Sequence, residues 1–238
     1  MEKVVHKRLY DYLSKKKLLY PNQYGFRPRH STINAVTEFS TDTIEAMANK
    51  STNLAIFLDL SKAFDTISHS ILIEKLRYYG IRGLPLKWFQ SYLSNRKQFV
   101  RLNNIDSQKC DSNLYGVPQG SVLGPLLFIL YTNDLHKALT HCKRIQFADD
   151  TTIYIIGNKI DSLFNNAQKD LTQLADWFKA NKMALNINKT NYMLFKSNKN
   201  MDITHFSLMI GNSKITQVNC TKFLGIMIDD KITMEGSY

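Results

Sequence analysis

Three carboxylates stand apart from the other acidic residues by where they fall. Asp59 ends a short apolar run, Leu54-Ala55-Ile56-Phe57-Leu58. Asp149-Asp150 follows about ninety residues later, between the β-rich segments Arg144-Ile145-Gln146-Phe147 and Thr152-Ile153-Tyr154-Ile155-Ile156. An acidic pair in that setting reads as the two-residue turn of a hairpin. Asp tolerates turn conformations, and Asp229-Asp230 also follows a strand-like run, so the dipeptide alone is a weak signal. Together with Asp59 it gains weight. If the Asp59 strand lies beside the hairpin, three acidic groups meet at one sheet edge and repel one another. Divalent cations relieve such crowding, and hard carboxylate oxygens suit Mg²⁺, with Mn²⁺ as a substitute. Two ions roughly 4 Å apart would stabilise the attacking and leaving oxygens of an in-line phosphoryl displacement.

Charge points the same way. Lys and Arg number 31 against 20 Asp and Glu, a formal net charge of +11. Such a surplus favours a polyanionic partner, nucleic acid or an anionic membrane face. A basic exterior to hold a strand around an acidic centre to hold metal is the electrostatics of a nucleotidyl transferase. Cys110, Cys142 and Cys220 are odd in number and lack zinc-ligand spacing, which predicts a reducing compartment. No apolar run is long enough to span a bilayer, and Met1 to Arg8 lacks the apolar core of a signal peptide. The chain is expected to be intracellular, in nucleus or cytoplasm; Lys15-Lys16-Lys17 is too short to decide between them.

The elements that must position these acids read as α+β. Helical spacing covers Glu2 to Lys17, and Ser31 or Thr32 is placed to cap a helix reaching Asn49. Ile71–Tyr79 and Leu86–Leu93 read as helices. Pro125–Leu139 reads as a helix apolar on every face in its first half, which demands burial beneath a sheet. Ser162–Ala180 is amphipathic, and Tyr192–Phe195 and Phe223–Ile228 are β-like runs. No Gly/Ser/Pro linker divides the chain.

Several segments together resemble reverse transcriptases. Phe57-Leu58-Asp59-Leu60-Ser61-Lys62-Ala63-Phe64-Asp65-Thr66-Ile67 is similar to their first catalytic block. Gly116-Val117-Pro118-Gln119-Gly120-Ser121-Val122-Leu123-Gly124-Pro125 resembles the second, and Gln146-Phe147-Ala148-Asp149-Asp150 the metal-binding hairpin. Leu185–Thr190 and Phe223–Ile226 resemble later palm blocks. Gln23-Tyr24-Gly25-Phe26-Arg27-Pro28-Arg29-His30-Ser31-Thr32 resembles a block of non-long-terminal-repeat, jockey-like retrotransposons.

The resemblance implies a right-hand polymerase palm, an antiparallel sheet backed by helices, with partial fingers. It implies RNA-directed DNA synthesis with an RNA template, a DNA primer and deoxynucleoside triphosphates. Asp59, Asp149 and Asp150 would hold two Mg²⁺ or Mn²⁺ ions, and Lys189 would protonate departing pyrophosphate. Phe64 would be the steric gate that rejects a 2′-hydroxyl. Gln119, Gly120, Phe147 and Ala148 would line the nucleotide site. Arg27, Arg29 and His30 would meet template phosphate, and Phe223, Leu224 and Gly225 the primer. Asp65 is expected to cap the next helix.

The expected boundaries are fingers over residues 1–52 and 66–115, palm over 53–65 and 116–230, and a tail over 231–238. The chain is expected to start inside the finger block that holds the triphosphate and to stop at the primer-grip hairpin, without a thumb. Two other readings stand beside the polymerase. A catalytically silent remnant would bind RNA or hybrid duplex. A metal-dependent nuclease would use similar carboxylates but would leave Phe64 and Pro118-Gln119-Gly120 without a role.

Overall fold

The strand that ends at Asp59 spans Thr52–Leu58 and is buried along its whole length. A strand covered on both faces needs a continuous apolar run rather than alternation, which is what Leu54 to Leu58 supply. In the computed structural model, residues 1–94, 96–108, 110–111, 115–196, 205–232 and 234–236 are described. They fall into two compact units, one made of Met1–Leu19 with Lys62–Thr132, the other of Tyr20–Ser61 with Asn133–Tyr238. The units differ from the expected bounds at three places: residues 20–52 group with the sheet, on which the helix Thr32–Ala48 packs, and residues 62–65 and 116–132 group with the helices.

The second unit is built on a five-stranded sheet. Its order is Thr216–Gln217, Asn191–Phe195, Thr52–Leu58, Asp150–Gly157 and Lys143–Phe147. Thr52–Leu58 runs antiparallel to both of its neighbours, and Asp150–Gly157 pairs antiparallel with Lys143–Phe147. The sheet is nevertheless mixed, not wholly antiparallel as expected: Thr216–Gln217 joins Asn191–Phe195 in parallel. That edge is two residues long and has no periodic pattern to betray it.

One sheet face is covered by Thr32–Ala48. Ser31 caps this helix by accepting a bond from the Asn34 amide at 3.3 Å. Phe39 is its anchor. Its ring lies 5.0 to 6.1 Å from the rings of Phe57, Tyr154, Phe195 and Phe223, in tilted or edge-on contacts. The helix Ile160–Ala180 also packs on the sheet, with Phe164 edge-on to Tyr192 at 5.9 Å. From that helix the fully buried Asp170 accepts the amides of Thr140, His141 and Cys142 at 2.7 to 3.1 Å and the His141 Nδ1 at 3.1 Å. It thereby fixes the chain as it enters the Lys143–Phe147 strand. Burial pushes this carboxyl up, but the Cys142 amide and the other donors together outweigh it and hold it below the usual carboxylate value. Burial and the Asp170 charge push the Cys142 thiol far upward, so this partly buried cysteine stays an unreactive thiol.

The first unit is helical, with Glu2–Lys15, His69–Tyr78, Gly83–Leu93 and Gly124–Thr132. Gly83–Leu93 starts earlier than its apolar pattern, and Pro85 fits in the first turn because no amide is needed there. The apolar segment is an α-helix only over Gly124–Thr132, followed by a 3₁₀ stretch, Asn133–Ala138. It groups with the helical unit and packs on His69–Tyr78, where Lys75 Nζ donates to the Tyr131 carbonyl at 2.6 Å. Short ladders pair Lys97–Gln98 with Cys110–Asp111 and Arg101–Leu102 with Ile105–Asp106. Among the described residues no helix is long and apolar enough to cross a membrane. The tail expected over 231–238 lies partly outside the described residues.

Candidate active site

Register brings the three acids to one edge of the sheet unit. Leu58 pairs with Thr151, and the next residues along each strand are Asp59 and Asp150. Neighbouring strands lie about 5 Å apart, so the two acids face one another across that gap. On the other side Asp150 pairs with Phe147, which makes the two-residue turn Ala148-Asp149. The sequence places the turn one residue later, at Asp149-Asp150; in the structure Asp150 is the first residue of its strand. The reason is Ala148, which takes the positive φ (57°) that primed hairpin turns require at their first position and that alanine rarely adopts.

Asp150 registers the crowding. Burial, then the charges of Asp149 and Asp59, raise its carboxyl above the ordinary value. Strand register thus places the three acids along one edge of the sheet, and the Asp150 carboxyl feels the other two. The arrangement is not a closed cage: among the described residues no group of three His, Cys, Asp or Glu side chains is drawn together tightly enough to hold an ion. The donor chemistry, hard oxygens under mutual repulsion, fits a divalent cation.

Asp59 is tied to the segment that carries Lys189. Its carbonyl accepts the Asn186 amide at 2.8 Å, its amide donates to Thr190 Oγ1 at 3.4 Å, and Leu60 bridges to Leu185. Lys189 sits in that turn with its side chain exposed. A cavity of about 180 Å³ joins Phe57, Leu58 and Asp150–Thr152 to Lys222–Gly225. Leu224 and Gly225 form the tip of the Cys220–Phe223/Ile226–Asp229 hairpin, both at positive φ (50° and 90°), the signature of a type I′ turn. Phe223, expected on the primer, has its ring in the core: it is 4% exposed and packs on Phe39 and Phe57.

The basic loop is similarly reassigned in part. Arg27 donates from one guanidinium nitrogen to the carbonyls of Tyr20, Pro21 and Gln23 at 2.8 to 3.2 Å, so it braces its own loop rather than offering that nitrogen to phosphate. Arg29 is exposed, and His30 Nδ1 lies 3.0 Å from the Pro28 carbonyl. Within the same block, Gln23 is a site residue that sequence reasoning missed. It is buried against the acidic turn, and its Oε1 accepts the Ala148 amide at 3.2 Å. Gln23 opens the matched block Gln23–Thr32, but a neutral glutamine there names no partner by its type.

In the helical unit the segment Phe64–Ile67 is stitched to Gly116-Val117. The Val117 amide donates to the Phe64 carbonyl at 3.0 Å and the Gly116 amide to the Ile67 carbonyl at 2.7 Å. Gly116, at φ 86°, lies against the Asp65 backbone, where a Cβ would come within 3.2 Å. The Phe64 ring is half-buried and stacked on Phe128, centroids 4.5 Å apart. Gln119 Nε2 donates to Asp65 Oδ1 at 2.9 Å. Asp65 is thus a holder of Gln119, not the helix cap expected; His69–Tyr78 has Ser68 at its N-cap without a side-chain bond. Gly120 adopts φ 80° with open space around it, so backbone conformation alone calls for glycine there.

A sheet carrying acids at a hairpin beside its central strand is a polymerase-type arrangement, and the fold matches accordingly. Apo telomerase from Candida tropicalis superposes over 99% of this chain and 41% of its own, with TM-score 0.66 at 13% identity. Telomerase from Candida albicans, solved with a fragment of telomeric RNA, gives TM-score 0.59 at 12% identity over 99% of this chain and 38% of its own. Residues 1–228 match the reverse transcriptase (RNA-dependent DNA polymerase) family, and the chain belongs to that family. It is 31% identical to the probable RNA-directed DNA polymerase from transposon BS of Drosophila melanogaster, and 28% identical to that from the mobile element jockey of the same fly. Each alignment covers 98% of this chain and 26% of the relative, so the chain spans about a quarter of their length.

Proposed function

We propose that this chain is the nucleotidyl-transfer core of a retrotransposon RNA-directed DNA polymerase, extending a DNA primer with deoxynucleotides along an RNA template. The observation that carries the reading is the register that sets Asp59 across from Asp150 with Asp149 in the adjoining turn. These three acids would supply carboxylate oxygens to Mg²⁺, with Mn²⁺ as a substitute; burial first, then the charges of Asp149 and Asp59, raise the Asp150 carboxyl, and a cation would relieve the repulsive part. Bound ions of this kind stabilise the attacking and leaving oxygens of an in-line displacement.

The remaining residues orient substrates and move a proton. Asp149, at the turn, faces the primer 3′ end, with Phe147 and Ala148 beneath it. Lys189, on a turn fixed to the Asp59 backbone, donates a proton to departing pyrophosphate. Phe64, its ring held by Phe128, blocks a 2′-hydroxyl, and Gln119, oriented by Asp65, contacts the incoming nucleotide where Gly120 lets the backbone approach. Arg29 and the Leu224-Gly225 turn meet nucleic acid. The sheet unit corresponds to a palm and the helical unit to part of the fingers.

Primer extension by the purified chain, with an RNA template, deoxynucleotides and Mg²⁺ or Mn²⁺, tests the proposal. Extension is expected, with Asp59→Asn lowering its rate by about 10³-fold or more. Extension that survives Asp59→Asn would overturn the assignment of the acids. No extension with either metal, together with salt-sensitive hybrid binding that Asp59→Asn leaves unchanged, would replace the polymerase by a binding remnant.

A further inference from the structure

A hairpin turn with alanine at positive φ needs something outside itself to hold it. Ala148, only 7% exposed, is held on both sides. Its amide donates to Gln23 Oε1 at 3.2 Å, and its carbonyl accepts from Gln146 Nε2 at 2.9 Å. Gln23 is 1% exposed, and the same oxygen accepts the Gly25 amide at 2.8 Å. Gly25 lies so close to the turn that a Cβ there would come 2.1 Å from the Ala148 nitrogen.

Gln23 is itself pinned. The segment around it adds to the outer strand in parallel: the Tyr24 amide donates to the Gln146 carbonyl at 2.7 Å, and the Gln146 amide to the Asn22 carbonyl at 2.9 Å. On either side of it, Asn22 Nδ2 and the Tyr24 hydroxyl donate to the two carboxylate oxygens of Glu38 on the sheet-covering helix. Burial and the Glu38 carboxylate push the Tyr24 hydroxyl far upward, so it stays a donor. The sheet-covering helix, through the Glu38 carboxylate and the two residues flanking Gln23, thus holds the segment whose glutamine oxygen bonds the turn.

We infer that Gln23 is the positioning residue of the Ala148-Asp149 turn: it fixes the backbone from which Asp149 projects, and through it Glu38 and the Thr32–Ala48 helix set the reach of the acid. The inference rests on the reading of Asp149 as a catalytic carboxylate. Its physical core, the clamp itself, can be tested separately. A misplacement of about 1 Å at a reacting group can cost about a hundredfold in rate, which sets the scale of the expected effect.

Gln23→Met keeps length and burial but removes the acceptor. Native-state hydrogen exchange of the wild type and this variant is compared at Ala148 and, as a control, at Ala55 and Ile56 in the central strand. Exchange at Ala148 is expected to accelerate about tenfold or more with the control amides unchanged, as loss of a local hydrogen bond requires. In primer extension kcat is expected to fall about 10- to 100-fold while KM for the deoxynucleotide stays within about twofold. Unchanged exchange at Ala148, or equal acceleration at all three amides, overturns the clamp. Selective acceleration with an unchanged kcat overturns the positioning role. Should Asp149→Ala leave extension intact, the catalytic reading fails on its own, and the exchange result still decides whether Gln23 holds the turn.

Discussion

The same dipeptide occurs twice in the sheet unit, and the two copies have different fates. Asp149-Asp150 straddles a turn and a strand start, opposite Asp59, with Asp150 pushed up by burial and by its two acidic neighbours. Asp229-Asp230 closes a strand as well, but its groups serve their own turn. Asp229 Oδ1 accepts the Lys231 amide at 3.1 Å, its carbonyl accepts the Ile232 amide at 3.0 Å, and the Asp230 amide donates to the Asn219 carbonyl at 3.0 Å. Composition is identical; scaffolding differs. What separates the two copies is the facing strand: Asp150 lies across from Asp59, whereas Asp229 pairs with Cys220.

The largest expected effect is on catalysis. Asp149→Ala should lower primer extension by about 10³-fold or more, whereas Asp230→Ala should leave it within about twofold. Equal losses in the two variants would erase the distinction between the copies. Next comes the core beneath both. Phe39 touches Phe57, on the strand leading to Asp59, and Phe223, on the hairpin leading to Asp229. Phe39→Ala should cost about 3–5 kcal/mol in urea denaturation, and a cost under about 1 kcal/mol would show that the ring cluster is not the shared support.

Glycines at the two turns sharpen the contrast further. Gly25→Ala drives a methyl into the Ala148 backbone and should cost about 3 kcal/mol, because neither side of the contact is a flexible side chain. Gly225→Ala meets no neighbouring atom and pays only for its φ of 90°, about 1 kcal/mol. Chemical denaturation of the pair checks the order. A pH-dependent effect concerns a third acid. Asp170 is buried but fully satisfied, and its folded pKa lies below the unfolded value of 3.8. A depressed pKa contributes stability above the unfolded value and loses it as pH falls through the folded one. Asp170→Asn should therefore cost about 2 kcal/mol near neutral pH and show a smaller loss on acidification below pH 4 than the wild type, read from denaturation midpoints across pH.

The strands and the three acids were legible because they carry periodicity, apolar runs and charge. The supports were not. The turn is displaced by one residue because aspartate is the better turn former in isolation, while the alanine before it takes the strained conformation only under the Gln23 and Gln146 clamp. Phe223 is expected on the primer through the family resemblance alone, and only the sheet shows the core its ring enters. Asp65 reads as a cap from its position before a helix, yet its partner, Gln119, is more than fifty residues away in sequence. Long-range hydrogen bonds between neutral or singly charged side chains leave no local trace.

The alignment of Asn22–Tyr24 along the Lys143–Phe147 strand has a consequence for association. An outermost strand with free amides and carbonyls invites a foreign chain to add to it, a route to aggregation that proteins block with cover, charge or brevity. Here backbone bonds to Gln146 occupy groups on the flank next to the acidic turn, so an extended peptide would have to displace them first. The opposite border ends in Thr216–Gln217, only two residues long, and offers a newcomer little to grip.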